Sequence, residues 1–142
     1  MAATAVPDTG HGASITFGTT GGTWKITEVS PNLKFTLPVV DTTYLATTTN
    51  RTKMPGDLSD HGPITLKFLF QGTQGIPARG VVETITLTSP IPGGSASTAQ
   101  NIAGTGFIME CEHPPLQTNT LQVGTISFQY DGVTGPTYTA AT

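Results

Sequence analysis

The stretch Ile64-Thr65-Leu66-Lys67-Phe68-Leu69-Phe70 decides the fold class. Ile64, Leu66, Phe68 and Phe70 share one parity and Thr65, Lys67 and Leu69 the other, as in a strand, where successive side chains point to opposite faces. The same period recurs on both sides of it. Ala13, Ile15 and Phe17 alternate with Ser14 and Thr16, and a Thr-Thr-Gly-Gly turn (residues 19–22) then leads to Trp24 and Ile26, which predicts a β-hairpin. Leu33, Phe35 and Leu37 alternate with Lys34 and Thr36 before Pro38, a residue that suits an edge or a bulge. Ile85 and Leu87 oppose Thr84, Thr86 and Thr88, while Phe107, Met109 and Cys111 oppose Ile108, Glu110 and Glu112. From Leu121 to Tyr130 the phase changes. Leu121 and Val123 lie on one parity and Ile126, Phe128 and Tyr130 on the other, which predicts a β-bulge near Gly124. No window carries a helical period. Seven or so short strands separated by Gly/Pro turns predict an all-β sandwich or barrel, a single domain over residues 1–142.

Charge narrows the function. Charged residues are 11% of the chain, under half of the roughly 25% usual for a soluble domain. A net charge of −3 excludes a basic nucleic-acid binder, whose affinity rests on neutralising phosphates. So few charges leave two readings: a neutral, Thr-coated monomer, or a subunit whose surface is largely covered by others. All the Lys and Arg residues lie at or before Arg79, whereas Glu83, Glu110, Glu112 and Asp131 follow it unopposed, an asymmetry that suits complementary faces meeting head to tail. No stretch is apolar and long enough for a membrane helix, and the start lacks the basic and apolar regions of a secretory signal. Cys111, alone, permits no disulfide framework and points to a reducing compartment.

Residues 41–63, DTTYLATTTNRTKMPGDLSDHGP, carry no strand pattern. A loop of that length inside a small domain is uncommon and predicts an excursion that docks onto something. The remaining chemistry is sparse. His11, His61 and His113 are scattered, and Cys111 with His113 supplies two ligands where a structural zinc needs four. Asp57, Asp60 and His61 in DLSDHG read as turn residues, and no nucleophile elbow, zinc helix or phosphate loop occurs. No catalytic residue, metal or cofactor is expected. Trp24, Tyr44 and Tyr130 are candidates for a sugar-stacking platform, against core placement for Trp24.

The central segment resembles the major tail tube proteins of long-tailed (siphophage-type) bacteriophages. Asp41-Thr42-Thr43, Arg51, Met54-Pro55-Gly56-Asp57, Asp60 and Gly62 match the family's strand, polar loop and turn, and residues 104–132 look like its closing strand pair. The resemblance implies a structural virion protein, assembled in the host cytoplasm as hexameric rings stacked into a tail tube for genome ejection. It implies inner strands joined into a ring-wide β-barrel, an N-terminal arm (1–12), a long inter-ring loop (42–63) and a C-terminal tail (132–142). The loop contacts would come from Thr43, Tyr44, Thr49, Arg51, Lys53, Met54 and Pro55. Glu83, Glu110 and Glu112 would face a lumen that lets DNA pass without binding it. Implied partners are further copies of the chain and proteins of the tape-measure, tail-terminator and distal-tail kinds, with no membrane. The family also carries one short helix, for which only residues 76–83 or 98–104 are available. The alternatives are a capsid decoration protein and a carbohydrate-binding module.

Overall fold

A computed structural model describes residues 5–6, 12–46, 48–72, 74–91, 93–94 and 97–142, which form strands and turns and, among the described residues, no helix. In chain order the strands are β1 (Ala5–Val6), β2 (Ser14–Phe17), β3 (Ile26–Ser30), β4 (Phe35–Thr36), β5 (Val39–Asp41), β6 (Lys53–Pro55) and β7 (Asp60–His61). They continue with β8 (Ile64–Leu69), β9 (Glu83–Thr88), β10 (Gly93–Gly94), β11 (Asn101–Glu112), β12 (Val123–Tyr130) and β13 (Thr137–Thr139). The fold is all-β. Of the expected N-terminal arm, all but residues 5, 6 and 12 lies outside the described residues, as does His11.

The main sheet runs β2-β9-β11-β12-β8-β3, every neighbouring pair antiparallel, with β13 added beside the start of β11. It is folded over on itself. β2 and β12 are three strands apart, about 14 Å in a flat sheet, yet the Phe17 and Phe128 rings lie 6.0 Å apart, edge to face. The strand that permits this is β11, whose residues 101–106 pair with β9 and whose residues 106–112 pair with β12. At the crossover a Cβ on Gly106 would sit 2.4 Å from the Gln129 carbonyl oxygen, so the close approach of two backbones requires glycine there. The enclosed core is the alternation read outward from residue 64: Ile64, Leu66 and Phe68 of β8, Ile126, Phe128 and Tyr130 of β12, Ile85 and Leu87 of β9, Ile15 and Phe17 of β2, with Ile102 and Trp24.

Three expectations change in detail. Residues 19–22 do not make a β2–β3 hairpin, since β2 pairs with β9 and β3 with β8 at the opposite edge of the sheet. Trp24 explains the difference. Its ring is buried 4.9 Å from Phe68 and 5.6 Å from Phe17, and its N–H donates to the Gly21 carbonyl at 2.9 Å, so the chain is drawn across the end of the core instead of turning back. No bulge occurs at Gly124; β12 keeps a strict alternation with Gly124 on the core face, and Leu121 and Val123 stay outside. The space a side chain would fill at 124 belongs to Phe68, whose ring edge is 2.4 Å from an ideal Cβ. The bulge lies instead in β11, where Met109 is the extra residue between Ile108 and Glu110, so that Ile108 and Cys111 both pack against the core. Neither helix candidate is helical: residues 76–82 form an extended strap leading into β9, and residues 101–104 begin β11. The stretch 132–142, expected as a C-terminal tail, is held to the body: β13 pairs with Asn101–Ala103 and Thr142 bonds to Thr98.

Candidate functional site

Residues 41–63, expected as a long docking loop without strands, form the outer part of a long β-hairpin. Its inner half is β3 paired with β8, register Ile26↔Phe68 to Ser30↔Thr65. Beyond Pro31 the same two chains keep pairing: Lys34 C=O accepts from Gly62 N–H, Phe35 faces His61, Val39 faces Pro55, Asp41 faces Lys53, and Thr42 N–H donates to Thr52 C=O. The sequence concealed this because both faces of the ribbon are exposed, which removes the alternation that marks a half-buried strand. About ten residues per side at about 3.3 Å each reach about 33 Å. The radius of gyration expected for 142 residues is about 15 Å. The arm therefore projects well clear of the body. Leu33 packs on the core at its root, and the Gln129 side chain donates to the His61 carbonyl.

Phe35, Leu37 and Val39 are exposed at 62%, 40% and 67%, an apolar stripe at two-residue spacing with nothing over it among the described residues. Val40 and Met54, paired with each other, are also exposed. Nearer the tip the ribbon turns polar. Thr42 and Thr52 share a hydroxyl bond of 2.9 Å, Arg51 lies 3.6 Å from Asp41, and Thr43 donates to Asp41 through its hydroxyl and its N–H, which holds that carboxyl below the usual range. Of the expected loop contacts, Thr43, Arg51, Lys53, Met54 and Pro55 thus sit on the outer ribbon, with Tyr44 and Thr49 at its exposed tip.

The outward face of the main sheet is a field of small polar side chains. Across four strands one row reads Glu28–Lys67–Thr125–Glu112 and the next Ser30–Thr65–Ser127–Glu110. Lys67 lies 3.4 Å from Glu28, and the Thr65 and Ser127 hydroxyls are 3.1 Å apart. Toward β2 the face continues as Thr16, Thr86 and Ala103. Glu110 and Glu112 are on this exposed face; Glu83 is not, and this corrects its place among the lumen candidates. Glu83 is 4% exposed on the core side of β9, accepting from the Thr20 N–H at 3.1 Å and the Thr20 hydroxyl at 2.9 Å. The Thr20 oxygen in turn accepts from the Ala78 N–H. Burial of an acid requires such partners, and these tie the strap to the turn after β2. Period-two parity did place Glu83 with Ile85 and Leu87, the signal that marks it as inward.

Two openings flank the body. A cleft of about 490 Å³ separates the free edges of β2 and β3, walled by Ala13, Ile26, Val29 and Leu87. A groove of about 430 Å³ lies between the strap, residues 76–80, and the end of β11, residues 108–111. Cys111 faces it with a thiol raised by burial, and His113 stacks edge-on to Phe70 at 5.3 Å. The sugar platform is not assembled: Trp24 and Tyr130 are buried, the Tyr130 hydroxyl pushed up to about 12 by burial, while Tyr44 is out on the arm. Among the described residues no three of His, Cys, Asp and Glu gather as a metal site. Asp60 and His61 serve as β7 at the arm's root.

No protein-family model matches the chain, and no curated protein matches it. Two solved structures share the fold over nearly their whole length. A chain of the anti-feeding prophage (AFP) baseplate, determined by cryo-electron microscopy with six-fold symmetry, superposes with a TM-score of 0.62 at 11% identity, covering 96% of this chain and 98% of that one. A chain of the sheath/tube terminator of the extracellular contractile injection system PVC, in its extended state, gives 0.57 at 19% identity, over 89% and 94%. Both belong to multi-subunit particles, and at these identities the likeness is one of fold. They come from a prophage baseplate and a contractile system, not from the long-tailed siphophages whose motif residues 41–62 resemble.

Proposed function

We propose that this chain is a structural, non-catalytic subunit of a phage-tail-like particle, virion or extracellular, and that it builds a tube from copies of itself. The observation that carries the reading is the arm, a ribbon about 33 Å long by strand rise whose apolar stripe has no cover among the described residues. Exposed apolar surface of that kind marks an interaction site. Low charge fits a surface mostly in contact with other subunits. The shared fold with chains of a prophage baseplate and an injection-system terminator supports the same class of role.

Ring closure has a simple route. Six strands of alternating direction leave β2 and β3 running oppositely at the two edges. The β3 edge of one copy meets the β2 edge of the next antiparallel, and repetition around an axis removes the open edges. The Thr/Ser face then lines the lumen. It carries no cluster of bases to hold phosphates, since Lys67 is compensated by Glu28 and the end strand adds Glu110 and Glu112. Tape-measure, terminator and distal-tail proteins are the partners that such a tube meets at its centre and ends.

The test shortens the arm. Replacing residues 42–52 by Asn-Gly joins the paired Asp41 and Lys53 through a two-residue hairpin turn. The variant is expected to fold with an unchanged melting temperature and to form no tubes; tubes equal to those of the parent chain would refute the reading.

A further inference from the structure

The ladder between β9 and β11 ends at Glu83↔Gly106. From there the strap peels away, turning through Gly80 at a φ of 68°, while β11 continues to Glu112 with β12 on its other side. The side of residues 107–112 that β9 has left is an open strand edge: among the described residues no backbone hydrogen bond links it to residues 76–82. The groove of about 430 Å³ is the space this opening leaves. An exposed edge of that kind is a template for one more strand.

The pattern on the edge limits which strand fits. Past the Met109 bulge, Glu110 and Glu112 stand two residues apart on the outward face, opposite Ser127 and Thr125. The outer arm carries the complement. Arg51 and Lys53 are two residues apart on the ribbon; Arg51 lies 3.6 Å from Asp41, the residue that Lys53 pairs with across the strands. Among the described residues the outer edge of β6 is unpaired, the ribbon there consisting of β5 and β6. Arg79 on the strap is the one Lys or Arg that lines the groove, and His113 lies at its end.

We infer that the open edge of β11 receives residues 51–54 of the arm of a second copy, antiparallel, with Arg51 beside Glu112 and Lys53 beside Glu110. The inference rests on the tube reading and names its contact. The added strand continues the main sheet, so its two bases neutralise the two acids on the face assigned to the lumen wall. Arm and edge are different surfaces, so the contact is heterologous and propagates from copy to copy. Opposite charges directly across a strand pair favour it and like charges oppose it.

Charge exchange tests this. Arg51→Glu with Lys53→Glu, and separately Glu110→Lys with Glu112→Lys, are each expected to raise the concentration at which assemblies appear in sedimentation velocity by about tenfold, with that effect shrinking at high salt. All four changes together are expected to return it to within about threefold of the parent chain. All four side chains are solvent-exposed, and circular dichroism of each variant checks that the fold is kept. Failure of the fourfold exchange to restore assembly, or indifference of assembly to either reversed pair, overturns the inference and leaves the tube reading standing. A parent chain that never assembles overturns both.

Discussion

Removing the apolar stripe from the arm separates folding from assembly. Phe35, Leu37 and Val39 expose 62%, 40% and 67% of their surface, so covering what they expose is worth about 2.5–5 kcal/mol at about 1.5–3 kcal/mol per fully buried side chain. The triple substitution Phe35→Thr, Leu37→Thr, Val39→Thr keeps residues that favour strands and removes that contribution. In the proposed assembly each copy uses its arm once, so the loss applies per subunit. A loss of about 2.5 kcal/mol, the low end, moves the concentration for assembly by about 60-fold, taking 1.4 kcal/mol per tenfold. The stability of the monomer is expected to stay within about 0.5 kcal/mol, the usual range for surface changes away from special features. Urea unfolding of dissociated subunits reads the first quantity and sedimentation velocity over a concentration series the second. Unchanged assembly, or a monomer destabilised by more than about 1.5 kcal/mol, would refute the reasoning, since the stripe would then be either idle or part of the chain's own core.

Other predictions concern the body. Gly124→Ala places a methyl 2.4 Å from the ring of the fully buried Phe68 and 2.9 Å from the Glu112 carbonyl oxygen. Overpacking of this kind is expected to lower unfolding free energy by about 1–3 kcal/mol in urea titration. Glu83→Ala leaves the buried Thr20 N–H without its acceptor, a loss of about 1–3 kcal/mol. Thermal unfolding should show it larger than that of Thr84→Ala, the exposed neighbour. Asp131, on the surface, accepts from the Thr105 hydroxyl at 2.7 Å and from the Val133 N–H, and those bonds hold its pKa below the ordinary 3.8. A depressed folded-state value adds stability above the unfolded pKa that is lost as pH falls through the folded one. Thr105→Val should move the Asp131 carboxyl titration, followed by ¹³C NMR, back toward 3.8 and flatten the acid limb of stability below about pH 4; an unmoved titration would remove the hydroxyl as its cause.

The core was legible because it follows period two. Ile64, Leu66, Phe68, Ile85, Leu87, Phe17 and Phe128 all lie inside, on the parity their spacing gives them. The same rule misled where tertiary packing overrides local pattern. Val123 looks like a continuation of the apolar face, but Phe68 fills the space beside Gly124 and the chain keeps its register without a bulge. A turn-like Thr-Thr-Gly-Gly does not close a hairpin, because the indole of Trp24 takes the chain into the core first. Leu33, Phe35 and Leu37 read as a half-buried strand, yet only Leu33 reaches the core. For the other two, the face that the pattern calls for is absent from the monomer. Residues 41–63 carried a signal of excursion but none of pairing, since a ribbon exposed on both faces has no hydrophobic period. Glu83 shows the opposite case: its parity with Ile85 marks it as inward, where it lies, and only its charge suggested the surface.

The central claim is self-assembly through the arm, and negative-stain electron microscopy of the purified chain over a concentration series tests it most directly. Rings or tubes with an open lumen, lost when residues 42–52 are replaced by Asn-Gly, are the predicted result. A chain that stays monomeric at every concentration, or tubes that form as well with the shortened arm as with the full one, would contradict the account.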